Sequence, residues 1–122
     1  MVQIPNKNYD LEERTARFGE EIIDFCRHLK QDAISRPIIS QLVRSTTSIG
    51  ANYMEANAAS SKKDFQNKIF ICKKEAQETR HWLRMIAKYF PEKREKIREL
   101  WREAQELTMI FQKITSALKK KV

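Results

Sequence analysis

Glu78-Thr79-Arg80-His81 is the stretch of this sequence whose residue types look most like a metal-ligating motif. Glu-x-x-His on a bundle helix is half of a di-metal carboxylate site, and the chemistry needs a second pair plus two further carboxylates aimed at the same point. The other histidine, His28, has Phe25 three residues before it, so the second pair is missing. His81 is therefore expected at the surface, with no metal and no cofactor. Cys26 and Cys72 stand alone, without CxxC or zinc spacing, and are expected as buried, reduced thiols of a cytoplasmic protein. There is no glycine-rich phosphate loop, and no Ser-His-Asp set has loops to carry it. The expectation is a protein without catalytic residues, not an enzyme.

A second constellation lies in SIGANYMEAN, residues 48–57. Arg44, Ser48, Asn52 and Glu55 recur at intervals of four, four and three, which places them on one helical stripe beside the Ile49/Tyr53 seam. Glu75 and Glu78 fall close to the core side of a later helix. Carboxylates in that position need donors, because an unpaired buried charge is costly, and Arg44 and Asn52 are available. Gly50, beside Ala51, would let another backbone approach, at about 1 kcal/mol of helix propensity. A small-molecule pocket and a merely solvated face are alternatives. The reading adopted is a structural polar network that fixes which helix faces which, or which subunit face meets the next.

The third constellation is basic. Residues 1–61 carry 7 Lys/Arg against 8 Asp/Glu, whereas residues 62–122 carry 17 against 8, so the net +8 belongs to the second half. Lys62, Lys73, Arg80, Arg84 and Lys88 are spaced 11, 7, 4 and 4 apart, near whole helical turns, and predict one exposed stripe. Arg94, Arg98 and Arg102 follow at intervals of four, then the tail Lys119, Lys120 and Lys121. Glu95 and Glu99, three residues before Arg98 and Arg102, would lace part of that charge into surface ion pairs. Such a face suits phosphate backbone, RNA or DNA, without base readout. Only His81 and Trp82 stand out as aromatic rings among these charges. A protein-interaction scaffold with an acidic partner is the alternative.

Four helices must position these groups. Leu11, Thr15, Phe18, Ile22, Phe25 and Leu29 alternate spacings of four and three behind Asp10 and Glu13, a capping-box pair, and predict a helix over 11–33. Pro37 suits only a first turn, so a second helix runs over 37–58 on Ile39, Leu42, Thr46, Ile49, Tyr53 and Ala56. Ser61 with Asp64 starts a third, 62–90, on Phe65, Ile69, Cys72, Ala76, Thr79, Leu83, Ile86 and Phe90. Pro91 and Glu92 open a fourth, 92–120, seamed by Ile97, Leu100, Ala104, Leu107, Phe111, Ile114 and Leu118. Heptad seams with short connections predict one all-α domain, 1–122, an antiparallel up-down-up-down four-helix bundle. No apolar run reaches the ~20 residues a membrane span needs. Phe70, Trp82, Trp101, Met109 and Ile110 are left over, to be absorbed by wider core stripes or buried against copies of the chain.

YDLEERTARFGEEIIDF, RPIISQLVRSTTSIGANYMEANAASSKKDF and KKEAQETRHWLRMI resemble the bacterial four-helix-bundle proteins first noticed as reading frames in intervening sequences of 23S ribosomal RNA genes. The likeness runs from Tyr9 to Phe90, and its most specific positions are Arg44, Ser48, Ile49, Gly50, Ala51, Asn52, Glu55, Ser61, Asp64 and Phe65. Many members carry a glycine soon after the Glu, where this chain has Asn57. The resemblance implies a small, non-enzymatic bundle that assembles as a pentamer. It also implies kinship with the accessory protein of diversity-generating retroelements, which works with a reverse transcriptase and nucleic acid. The expected function is thus a homo-oligomer binding nucleic acid non-specifically through helices three and four. A scaffold or accessory subunit for a nucleic-acid-handling enzyme is the alternative.

Overall fold

The computed structural model describes residues 7–120 and builds them from four long helices: α1 (Lys7–Arg27), α2 (Ser35–Asn57), α3 (Lys62–Tyr89) and α4 (Arg94–Lys120). Each packs antiparallel to the next, giving an all-α up-down-up-down bundle. Pairs across the seams show the alternation, with Arg44 of α2 meeting Glu75 and Glu78, and Glu55 further along α2 meeting Lys68. The seam residues do what their period requires: Phe18, Ile22, Leu42, Ile49, Ile69, Leu83, Ile86, Leu107 and Phe111 are buried in one core. Tyr53 and Phe111 meet across its diagonal with ring centroids 6.0 Å apart. Between α2 and α3 the core also holds hydroxyls, where Ser45 bonds Thr79 at 2.9 Å and Thr79 donates to the Glu75 carbonyl at 2.8 Å. No helix among the described residues is long and apolar enough to cross a membrane.

The first helix departs from its expected span. Asp10 lies within α1, which already begins at Lys7, so it is not the cap. The helix stops at Arg27 rather than residue 33, because the following segment has its own capping exchange. The Asp32 Oδ1 accepts from the amides of Ile34 and Ser35, both at 2.9 Å, while Ser35 Oγ accepts from the Asp32 amide at 2.9 Å. Local side-chain bonds of this kind compete with helix continuation. They start α2 at Ser35 and leave Pro37 in its first turn. Ser61 caps α3 by accepting from the Asp64 amide at 3.0 Å. At the last corner Pro91–Lys93 form a 3-10 turn, so α4 begins at Arg94 instead of residue 92.

Of the five surplus apolar side chains, Trp82 and Ile110 pack against the core, whereas Phe70, Trp101 and Met109 are exposed. Ile23, Ile34 and Met54 join them at the surface.

Candidate nucleic-acid interface

Antiparallel packing of α3 on α4 lays the last turns of α3 along the first turns of α4. Arg94, Arg98 and Arg102 stack on one side of α4 at successive i+4 positions, and Trp101 projects beside them. Across the seam α3 supplies Leu83, Arg84 and Ala87. These residues, with Ile97, line a groove of about 480 Å³ whose floor is apolar and whose rim is four guanidinium groups. Trp101 is 37% exposed within it. Arg14, Arg17, Arg27 and Arg44 on the first two helices all form ion pairs. Among the described residues, none of Arg84, Arg94, Arg98 and Arg102 has a carboxylate within 4.0 Å. The expected lacing by Glu95 and Glu99 does not form; with Arg98 and Arg102 they line a shallow polar hollow without closing on them.

The helix-three stripe is not uniform. Lys62, Arg84 and Lys88 are exposed, but Lys73 lies with its ammonium 5.7 Å from the Phe70 ring centroid. Arg80 leaves the stripe. It is half-buried in the α3/α4 seam, donates through Nη1 to Gln105, and holds its guanidinium 5.8 Å from the Trp101 ring centroid. Its buried Nε has no hydrogen-bond partner among the described residues. Spacing along α3 aligned Arg80 with Arg84, but α4 covers that part of the helix. Lys119 is exposed at the far end of α4; the side chain of Lys120, and all of Lys121, lie outside the described residues. Trp101, left by its spacing either to a wider core stripe or to a contact between copies, stands three residues after Arg98 and beside Arg102, and within one chain its ring is partly exposed at the groove.

The polar stripe of α2 closes onto α3 within one chain. Asn52 Nδ2 donates to Ser48 O and Oγ, both at 2.9 Å, and Ser48 Oγ donates to Glu75 Oε2 at 2.9 Å. Arg44 donates to Glu75 at 3.1 Å and to Glu78, which also accepts from Trp82 Nε1 at 2.9 Å. Glu55 is not part of this chain of bonds: Lys68 takes it at 2.7 Å. The Glu75 side chain is 15% exposed and the Arg44 side chain 45%, so the network runs from the core edge to solvent.

Gly50 likewise serves its own chain. A Cβ there would sit 3.4 Å from Thr15 Oγ1, and one at Gly19 would sit 3.7 Å from Thr47 Cγ2, ordinary contact distances across the α1/α2 crossing. Outside this crossing is a hollow of about 350 Å³ with Gly19, Gly50 and Ala51 in its wall and the exposed Ile23 and Met54 at its edge. Glu12 and Glu20 flank it.

With Glu78 engaged by Arg44 and Trp82, His81 rests edge-on against the Trp82 ring at 4.9 Å. Among the described residues no three His, Cys, Asp or Glu side chains converge as metal ligands. Burial pushes the Cys26 thiol up to about 11 and the Cys72 thiol up to about 12, far from nucleophilic at neutral pH.

Residues 7–120 match the family model described as 23S rRNA-intervening sequence protein. The fold is similar to the crystal structure of a protein of unknown function from the S23 ribosomal protein family of Bacteroides thetaiotaomicron. That match has a TM-score of 0.80 and 29% identity, covering 91% of this chain and 99% of that one. No curated protein matches the sequence.

Proposed function

From the premise that this chain belongs to the 23S rRNA-intervening sequence protein family, we propose a non-enzymatic, oligomeric bundle that binds RNA or DNA without sequence preference through the α3/α4 face. The observation that carries this reading is the rim of Arg84, Arg94, Arg98 and Arg102, which have no carboxylate partner among the described residues. Arginines left unpaired are free to neutralise phosphates, and each contact releases condensed counterions. The family's ribosomal RNA context points the same way. Among the described residues no metal-ligating cluster is present, and unpaired arginines meet backbone charge rather than base edges.

Assembly is the second element of the proposal. Ile23 and Met54 at the α1/α2 hollow, with Phe70 and Met109 elsewhere, give a second copy apolar surface to cover. A ring of five, as the family resemblance suggests, would repeat the arginine rim and add weak contacts through multivalency.

Fluorescence anisotropy with short RNA and DNA tests the reading. Binding should be micromolar or tighter at low salt and fall steeply by ~0.2 M, with a log-log slope of ~0.7–0.9 per phosphate contacted. Reversal of Arg84, Arg98 and Arg102 to Glu should abolish it with helicity intact, since these side chains are exposed. Arg80 does not belong in this test, because a carboxylate there would fall inside the α3/α4 seam. Equal binding by wild type and the triple variant would shift the assignment to an acidic protein partner, for which the groove's apolar floor provides a seat.

A further inference from the structure

Phosphate neutralisation accounts for the rim of the α3/α4 groove but not for its floor. A surface that meets only phosphates has no use for an exposed indole, yet Trp101 sits among the four arginines with Leu83, Ala87 and Ile97 around it. The ring is held from behind: the Arg80 guanidinium lies over it at 5.8 Å, Arg80 is anchored by Gln105, and Arg80 is not part of the groove wall. Trp101 is thus a positioned aromatic surface with part of its area open to the groove.

Along α4, Arg94, Arg98 and Arg102 are separated by ~6 Å per step, so they track a backbone lying parallel to the helix. An extended strand following them would bring its bases over the apolar floor. Unpaired bases expose a π-face that stacks on an aromatic ring whatever their identity. A duplex hides those faces inside its own stack and can offer the groove only phosphates.

Building on the nucleic-acid reading above, we infer that the Trp101 groove is a base-stacking seat that selects single-stranded nucleic acid over duplex. Arg84, Arg94, Arg98 and Arg102 hold the backbone; Trp101 takes a base. Charge and stacking make separable contributions. Removing the ring leaves the number of neutralised phosphates unchanged, so it should lower affinity without altering the salt slope. Removing an arginine should lower both.

The test uses the full chain with an unstructured oligouridylate, the matching oligothymidylate, and a blunt duplex of the same length. Trp101→Ala is expected to weaken single-strand binding about tenfold and leave duplex binding unchanged, with an unaltered salt slope. Trp101→Phe, which keeps a ring, should recover most of the loss; circular dichroism and melting of both variants report whether the seam survives. Should Trp101→Ala fail to fold, Trp101→Phe alone still decides, through the ratio of single-strand to duplex affinity, which must stay above one. Equal affinity of the wild type for single strand and duplex overturns the inference while leaving the basic face intact, as does an unchanged single-strand affinity in a folded Trp101→Ala. Failure of the wild type to bind either form at low salt overturns the nucleic-acid reading itself.

Discussion

Asp32 shows how much one carboxylate can organise. It accepts from the amides of Ile34 and Ser35 and from the Tyr89 hydroxyl, joining the α1–α2 connection to the end of α3. The Tyr89 bond is the largest cause of a carboxyl lowered from 3.8 to about 2, with the Ser35 amide next. The same bond raises the Tyr89 phenol above its ordinary 10.0. A depressed acid stabilises the fold above its unfolded value and ceases to do so as pH falls through the folded one; a raised phenol does the reverse on the alkaline side. The pair should therefore contribute a plateau from about pH 4 to 10, lost on the acid side as pH drops toward 2. Tyr89→Phe should return the Asp32 titration toward 3.8, seen by carboxyl NMR, lower the melting plateau and flatten its acid limb between about pH 4 and 2. At Gly19, where an added methyl meets only ordinary contact with Thr47, Gly19→Ala should raise stability by about 0.5–1 kcal/mol in chemical denaturation.

Between α2 and α3, the hydrogen-bond chain from Asn52 through Ser48 and Glu75 to Arg44 and Glu78 sets the pairing of two helices. Arg44→Ala would leave the largely buried Glu75 with only Ser48, a loss of about 1 kcal/mol given that Arg44 is half exposed. Glu75→Gln in the same background should recover part of it, since a neutral amide needs no cation. The cost should appear in the melting midpoint rather than in particle mass, because the network closes within one chain. Periodicity made this juxtaposition legible: stripes beside a heptad seam must meet the neighbouring helix. The seams of α2, α3 and α4 were legible for the same reason. The end of α1 was not, because the Asp32–Ser35 capping exchange outweighs the apolar pattern that continues to Leu29. The inward turn of Arg80 onto Trp101 was not legible either. A one-helix count of turns cannot say where a second helix lies, and only the α3/α4 crossing puts that guanidinium on that ring.

At the scale of the molecule, charge is sorted by face. Arg14, Arg17, Arg27 and Arg44 of α1 and α2 are tied to carboxylates, with Arg36 the exception, while the arginines around the α3/α4 groove are open, on the side of the bundle away from the α1/α2 hollow. Light scattering should accordingly give a mass well above the 14.5 kDa of one chain. Ile23→Glu with Met54→Glu should shift that mass downward, leaving helicity unchanged, if the hollow is the assembly face. The seams are also unequal in strength. α1 rests chiefly on α2 and touches α4 along a sparse line, where Arg14 grips Glu103 at 2.7 Å and reaches Glu106 at 3.1 Å. The Glu103 bond holds the Arg14 guanidinium above its ordinary value. A helix fastened along one flank and held on the other by the Arg14 clasp and a looser Lys96–Glu21 pair at 3.8 Å is the first to detach. Native-state hydrogen exchange should find the α1 amides opening as a separate cooperative unit while α2, α3 and α4 keep their protection. Arg14→Ala should speed that opening alone, and a detached α1 would offer a neighbouring chain a helix to exchange.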